Sequence, residues 1–209
     1  MTTPVSLTRQ GKVGLIAINN PPVNALSQAV RQGIIDCVAA AQQDDQIKAV
    51  VLYCEGRTFV AGADISEFGK APLEPHLPDV LHQVESCRKP VVAALHGTAL
   101  GGGFELALCS HYRVALAGSK VGLPEVNLGL IPGSGGTQRL PRIAGVEKAL
   151  EMITSGRPVP VESVVEQKLI DQVVDQSLVS AATAFADALI ADQAPPRRVS
   201  EIQLSKGEG

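Results

Sequence analysis

The sequence has no Cys-x-x-Cys pair, no block of like charge and no apolar run approaching the ~20 residues that a membrane span needs. Each absence removes a class of function. Cys37, Cys54, Cys87 and Cys109 stand apart inside apolar stretches, which fits reduced, packed thiols better than a metal or redox pair. A formal charge of -3, with acidic and basic residues scattered, gives no basic field for nucleic acid. The opening MTTPVSLTRQ lacks the charged-then-apolar pattern of a secretion signal, and the closing KGEG is not a peroxisomal address. The expectation is a cytoplasmic protein with neither nucleic acid nor membrane among its partners.

Familiar catalytic signatures are missing too. There is no Walker lysine motif, neither GGGFEL nor GSGGTQ fits Gly-x-Gly-x-x-Gly, and the Gly-x-Ser-x-Gly elbow does not occur. His76, His82, His96 and His111 lack the spacing of paired metal ligands, so they read as structural or exposed and no metal site is expected.

What remains is a chain of 209 residues, 45% hydrophobic, long enough for one substantial core and short for two. VGLIAI (13–18), AVVLY (49–53) and VVAAL (91–95) are short, apolar and bounded by turn residues, as buried strands are. Between them, residues 26–45, with Ser27 as N-cap, and 77–87 repeat their apolar positions at helical spacing. YRVALA (112–117), a helical 146–156, the apolar LIDQVV (169–174) and a helical 178–192 continue the alternation, which argues for an α/β core. Residues 1–192 form that core. Residues 193–209, with Pro195-Pro196 and few large apolar side chains, read as a linker or mobile tail. GKAPLEPHLP (69–78) reads as a loop whose order depends on a ligand.

Three glycine turns lead into isolated carboxylates. FVAGADISEF (59–68) leaves its backbone approachable at Ala61, Gly62 and Ala63, although Asp64 can also be a plain N-cap. ALGGGFELAL (99–108) opens on three glycines and carries Glu105 into an apolar helix, where unpaired N–H groups gather and where a glutamate can also merely complement the dipole. VGLPEVNLGLIPGSGGTQRLPR (121–142) places Glu125 after Pro124, ahead of a glycine cluster at Gly133, Gly135 and Gly136; alone it can be a loop with a capping glutamate. Together the segments suggest two backbone donors and two carboxylates around one cleft, suited to acid/base work on a carbonyl compound.

PPVNAL, FVAGADISEF, KPVVAALHGTALGGGFELAL, VGLPEVNLGLIPGSGGTQRLPR and ALEMITSGRPV, in that order, resemble the enoyl-CoA hydratase/isomerase, or crotonase, family from about Leu15 to Asp192. Within it, NPPVNAL, GLPEV and the late PPRR are most similar to the hydratase/isomerase part of multifunctional fatty-acid β-oxidation enzymes. The resemblance implies an α/β spiral of ββα units (the ClpP/crotonase-like fold) and an acyl thioester of coenzyme A as substrate. It implies hydration of 2-trans-enoyl-CoA to 3-hydroxyacyl-CoA, with 3-enoyl to 2-enoyl isomerisation as a further activity. Carried over by position, Glu105 and Glu125 are the catalytic acids, and the N–H groups of Ala63 and Gly102 form the oxyanion hole. Val23, Ala25, Ala61, Ala63, Asp64 and Ile65 line the coenzyme A channel; Arg57 and Lys70 can meet its phosphates but read better as solvated charges. No separate cofactor is implied, because coenzyme A belongs to the substrate.

The family's C-terminal helices, which cover the acyl pocket and help build oligomers, and the fused dehydrogenase part of the multifunctional enzymes are not in the sequence as it stands. A homo-oligomer and a fused dehydrogenase remain partner expectations. The rival reading is a truncated acyl-CoA-binding or scaffold module with little catalysis.

Overall fold

The computed structural model describes residues 3–62, 67, 69 and 71–204. In chain order the elements are β1 (Val5–Gln10), β2 (Val13–Ile18), α1 (Gln28–Gln43), β3 (Ala49–Cys54), α2 (Leu77–Glu85), β4 (Val91–Leu95), β5 (Thr98–Leu100) and α3 (Gly102–Cys109). They continue with β6 (Tyr112–Leu116), β7 (Lys120–Gly122), α4 (Gly136–Ala144), α5 (Val146–Ser155), β8 (Val159–Pro160), β9 (Gln172–Val174) and α6 (Leu178–Ala191). Short 3₁₀ turns occupy Pro124–Leu128, Val161–Val164 and Val199–Glu201.

The main sheet has the order β1-β2-β3-β4-β6-β9, parallel except for the antiparallel β1–β2 hairpin. Its central strands read as unbroken apolar runs because both faces are covered. Ile16, Ile18, Val50 and Leu52 point into the larger core with α1, α2 and α3, while Val13, Leu15, Ala49 and Val51 meet Ala182 and Ala186 of α6 on the other face. Fully burying each of the valine, leucine and isoleucine side chains contributes about 1.5–3 kcal/mol. A second sheet, β5-β7-β8, takes the strands that follow β4 and β6: β4 leads to β5 and then α3, and β6 leads to β7. This handover from one sheet to the other, with a helix after it, is the ββα turn of the expected spiral.

Ser27 does cap α1, its hydroxyl accepting the Val30 N–H at 3.4 Å. Cys54, Cys87 and Cys109 are buried thiols and Cys37 is partly buried; burial pushes Cys109 up to about 12. His111 is structural: its ring joins the Val91 N–H and the Glu85 carbonyl, at 2.9 Å each, and burial holds its pKa below the ordinary value. No helix among the described residues is long and apolar enough to cross a membrane.

One sequence expectation needs correction. Of residues 193–209, the stretch 195–201 is docked rather than loose. Arg197 stacks 4.5 Å over the Tyr112 ring and pairs with both oxygens of Asp171, Tyr112 donates to the Pro195 carbonyl, and Val199 is buried. A guanidinium can hold a polar segment down through stacking and a bidentate carboxylate, which composition does not reveal. The stretch 71–76 is a loop, as expected, and buried Arg31 donates to the carbonyls of Leu73 and Pro75 at 2.9 and 2.7 Å.

Candidate active site

Gly101 precedes α3 with φ +54° and ψ −127°, a conformation a side chain resists, and this bend turns the chain from β5 straight into the helix. Gly102, the first helical residue, has no acceptor for its N–H within α3, so the positive end of the helix opens there. Gly103 allows a close approach. A Cβ on it would lie 2.7 Å from the Val60 carbonyl carbon and nearer still to the carbonyl oxygen. The start of α3 is thereby pressed against residues 60–62. At the far end, buried Arg113 donates to the carbonyls of Ala107, Ser110 and Leu169, so a cation sits at the negative end of the same helix.

Glu105 lies on the first turn of α3 and is 2% exposed. Its Oε1 accepts two backbone N–H groups, Ser134 at 2.9 Å and Gly136 at 2.8 Å. Burial raises its pKa above the usual carboxylate range; the two N–H groups and the Arg139 charge act against that rise without cancelling it. The glycine cluster therefore exposes backbone as expected, and the exposed donors hold a carboxylate.

Glu125 comes from the 3₁₀ turn Pro124–Leu128 just after β7, the neighbour of β5 in the small sheet. Its Oε1 lies 3.1 Å from where a Gly101 Cβ would stand, so the first glycine leaves room for the second carboxylate. Its Oε2 is buried and has no hydrogen-bond partner among the described residues. Burial raises its pKa, and the charge of Glu105 raises it further. Glu105, held by two N–H donors, and Glu125, with an unpaired buried oxygen, are unequal carboxyl groups, as a pair with distinct acid and base roles needs to be.

Val23, Ala25 and Ala61 also come together. Ala61 N–H donates to the Val23 carbonyl and Leu26 N–H to the Gly62 carbonyl, each at 3.2 Å. Asn24 fixes this loop by donating to the carbonyls of Glu55 and Thr58 at 2.8 and 2.9 Å while accepting the Asn20 N–H. Sequence reasoning passed over Asn24, although its place in PPVNAL was the available signal. Ala63, Asp64, Ile65 and Lys70 lie outside the described residues, and Arg57 is exposed. Among the described residues no three His, Cys, Asp or Glu side chains gather as a metal site.

A cavity of about 390 Å³ opens behind the glycine loop, lined by Gly133, Ser134, Arg139, Arg142 and Val199 among others, but by neither Glu105 nor Glu125. It is not the space where the two carboxylates meet. Its wall contains an ion pair that sequence reasoning missed: Glu85 Oε2 accepts Arg139 Nε and Nη2 at 3.0 and 2.8 Å.

The arrangement can bind an anionic oxygen at a helix N-terminus while two unlike carboxyl groups move protons beside it. The chain is 47% identical over 190 residues to a peroxisomal bifunctional enzyme of Danio rerio, which covers 91% of this chain and 26% of the relative. It thus spans about a quarter of that relative's length. It is 38% identical to a probable enoyl-CoA hydratase of Bacillus subtilis, covering 96% of this chain and 81% of the other. The crystal structure of an enoyl-CoA hydratase from Bacillus anthracis superposes with a TM-score of 0.85 at 32% identity, covering 90% of this chain and 77% of that one. The family model described as enoyl-CoA hydratase/isomerase matches residues 8–201, and the chain belongs to that family, with its crotonase fold.

Proposed function

We propose that this chain hydrates 2-trans-enoyl-CoA to 3-hydroxyacyl-CoA, in the manner of fatty-acid β-oxidation, and also shifts a 3-enoyl double bond to the 2 position. The observation that supports this best is the unlike pair at the start of α3: Glu105 held by two N–H donors, Glu125 with a buried unpaired oxygen. Water bound to Glu105 attacks C3, losing its proton to that carboxylate. Charge moves through the conjugated system onto the thioester oxygen, where the Gly102 N–H and, by the family's pattern, that of Ala63 receive it. One such donor is typically worth about 2.7–4 kcal/mol of barrier. Glu125 then delivers its proton to C2, which completes the addition of one water, and the pair recovers its starting state by proton exchange with solvent. Isomerisation uses Glu125 in its ionised form, reached when its proton leaves for solvent: the carboxylate takes a proton from C2 and returns it to C4. A docked acyl chain without turnover, the scaffold reading, would have no use for two carboxyl groups held so differently.

The pH dependence tests this reading. Hydration needs Glu105 ionised and Glu125 protonated, and both carboxyls are raised by burial. Activity is therefore expected to fall on acidification as Glu105 takes up a proton, and to fall on the alkaline side as Glu125 loses its own. Both limbs of the kcat/KM profile should lie above the ordinary carboxylate range of about 3.9–4.3. A profile flat across that region and above it, measured with crotonyl-CoA, contradicts the assignment.

A further inference from the structure

The two N–H groups that hold Glu105 belong to a loop, and the loop itself is braced from behind. Arg139, on α4, donates through Nη1 to the Ser134 carbonyl at 2.9 Å. A Cβ placed on Gly135 would collide with that same guanidinium, so the loop is wrapped tightly over it. The remaining two arms of Arg139 grip Glu85 Oε2, and Glu85 Oε1 accepts the Ser200 N–H at 2.8 Å. Side-chain exposures of 15% for Arg139 and 8% for Glu85 place the pair largely out of water. Helix α2, the loop before α4 and the C-terminal 3₁₀ turn are thus joined by one ion pair.

We propose that Arg139, braced by Glu85, is a positioning residue for Glu105: it fixes the Ser134–Gly136 backbone so that two N–H groups stay aimed at Glu105 Oε1. The inference deepens the proposed hydration, since Glu105 is the carboxylate that must hold and deprotonate water. A planar guanidinium suits the task because it serves a carboxylate and a carbonyl at once. Burial pushes Glu85 up, but the Ser200 N–H and Arg139 outweigh it and keep Glu85 below its ordinary value, hence ionised. Glu105 faces two titratable neighbours, Arg139 behind the loop and the carboxyl of Glu125 across the site. The Arg139 charge works to keep Glu105 ionised, against its burial.

Removing Arg139 alone would leave Glu85 as an uncompensated buried charge, which costs stability by itself. The test therefore uses the double variant Glu85→Gln/Arg139→Gln, in which a neutral amide pair replaces the ions. The Glu105 carboxyl is followed by NMR in protein labelled with ¹³C-glutamate, assigned by the signal lost in Glu105→Gln. Its titration midpoint is expected to rise in the double variant, and kcat for crotonyl-CoA hydration to fall at least about 10-fold with KM within about twofold. An unmoved midpoint in a folded double variant overturns the proposal, as does an unchanged kcat. If the double variant does not fold, Arg139→Lys carries the test: losing the fork should speed amide hydrogen exchange at Ser134 and Gly136, and unchanged exchange overturns the proposal. The titration and exchange arms need no turnover, so a wild-type protein that fails to hydrate crotonyl-CoA contradicts the proposed function and leaves this inference to its own result.

Discussion

Replacing Glu125 with glutamine is expected to slow both hydration of a 2-enoyl-CoA and isomerisation of a 3-enoyl-CoA by about 10²–10⁴-fold, the usual contribution of a positioned acid or base. The side chain keeps its size and place in the 3₁₀ turn after β7, so acyl-CoA binding should change little and the loss should appear in kcat. Both reactions suffer because each requires this carboxyl to exchange a proton with C2. An amide cannot do so. Steady-state kinetics with crotonyl-CoA and with a 3-enoyl-CoA check the expectation; retention of either rate would remove Glu125 from the role given to it.

The second large effect is structural. Gly103→Ala would place a Cβ 2.7 Å from the Val60 carbonyl carbon and Cβ, against backbone that cannot swing aside as a side-chain tip can. The helix start must then move away from residues 60–62, at an expected cost of about 3 kcal/mol. For a chain of this size that lowers the melting midpoint by about 6–12 °C. Activity should fall even where the variant remains folded, because the Gly102 donor and the first carboxylate ride on the displaced turn. Gly133→Ala is the stability comparison: its Cβ would meet nothing within 4 Å, so its midpoint should stay close to that of the wild type. Equal midpoints for the two variants would show that the contact at Gly103 is not what fixes α3.

The difference between these glycines was only partly legible in the sequence. Three consecutive glycines before a charge in an apolar helix announced that something unusual happens at residues 101–105, and the structure places a tight bend, an open N–H and a buried carboxylate there. The central strands were equally plain, since burial on both faces leaves Val50, Val51 and Leu52 with no polar alternation to confuse the pattern. β5, β7 and β8 were not legible, because two or three residues carry no period. β1 escaped for a related reason: on the edge of the sheet, only Val5 of VSLTRQ is buried. The Glu85–Arg139 pair joins positions 54 residues apart, and a contact that long in sequence leaves no local trace. Arg197 was read as tail because its partners, Tyr112 and Asp171, come from β6 and the turn before β9. Folding brings such partners together; composition only counts them.

On the proposed function, hydration asks for both Glu105 and Glu125 and isomerisation for Glu125 alone, and that difference is the core of the account. The most direct measurement compares wild type with Glu105→Gln in three assays on one preparation: hydration of crotonyl-CoA, isomerisation of a 3-enoyl-CoA, and calorimetric titration with a saturated acyl-CoA. The expected result is hydration reduced by about 10²–10⁴-fold, with isomerisation far less affected and acyl-CoA affinity retained. Hydration at the wild-type rate in Glu105→Gln, or a wild type that binds acyl-CoA and turns nothing over, would contradict it.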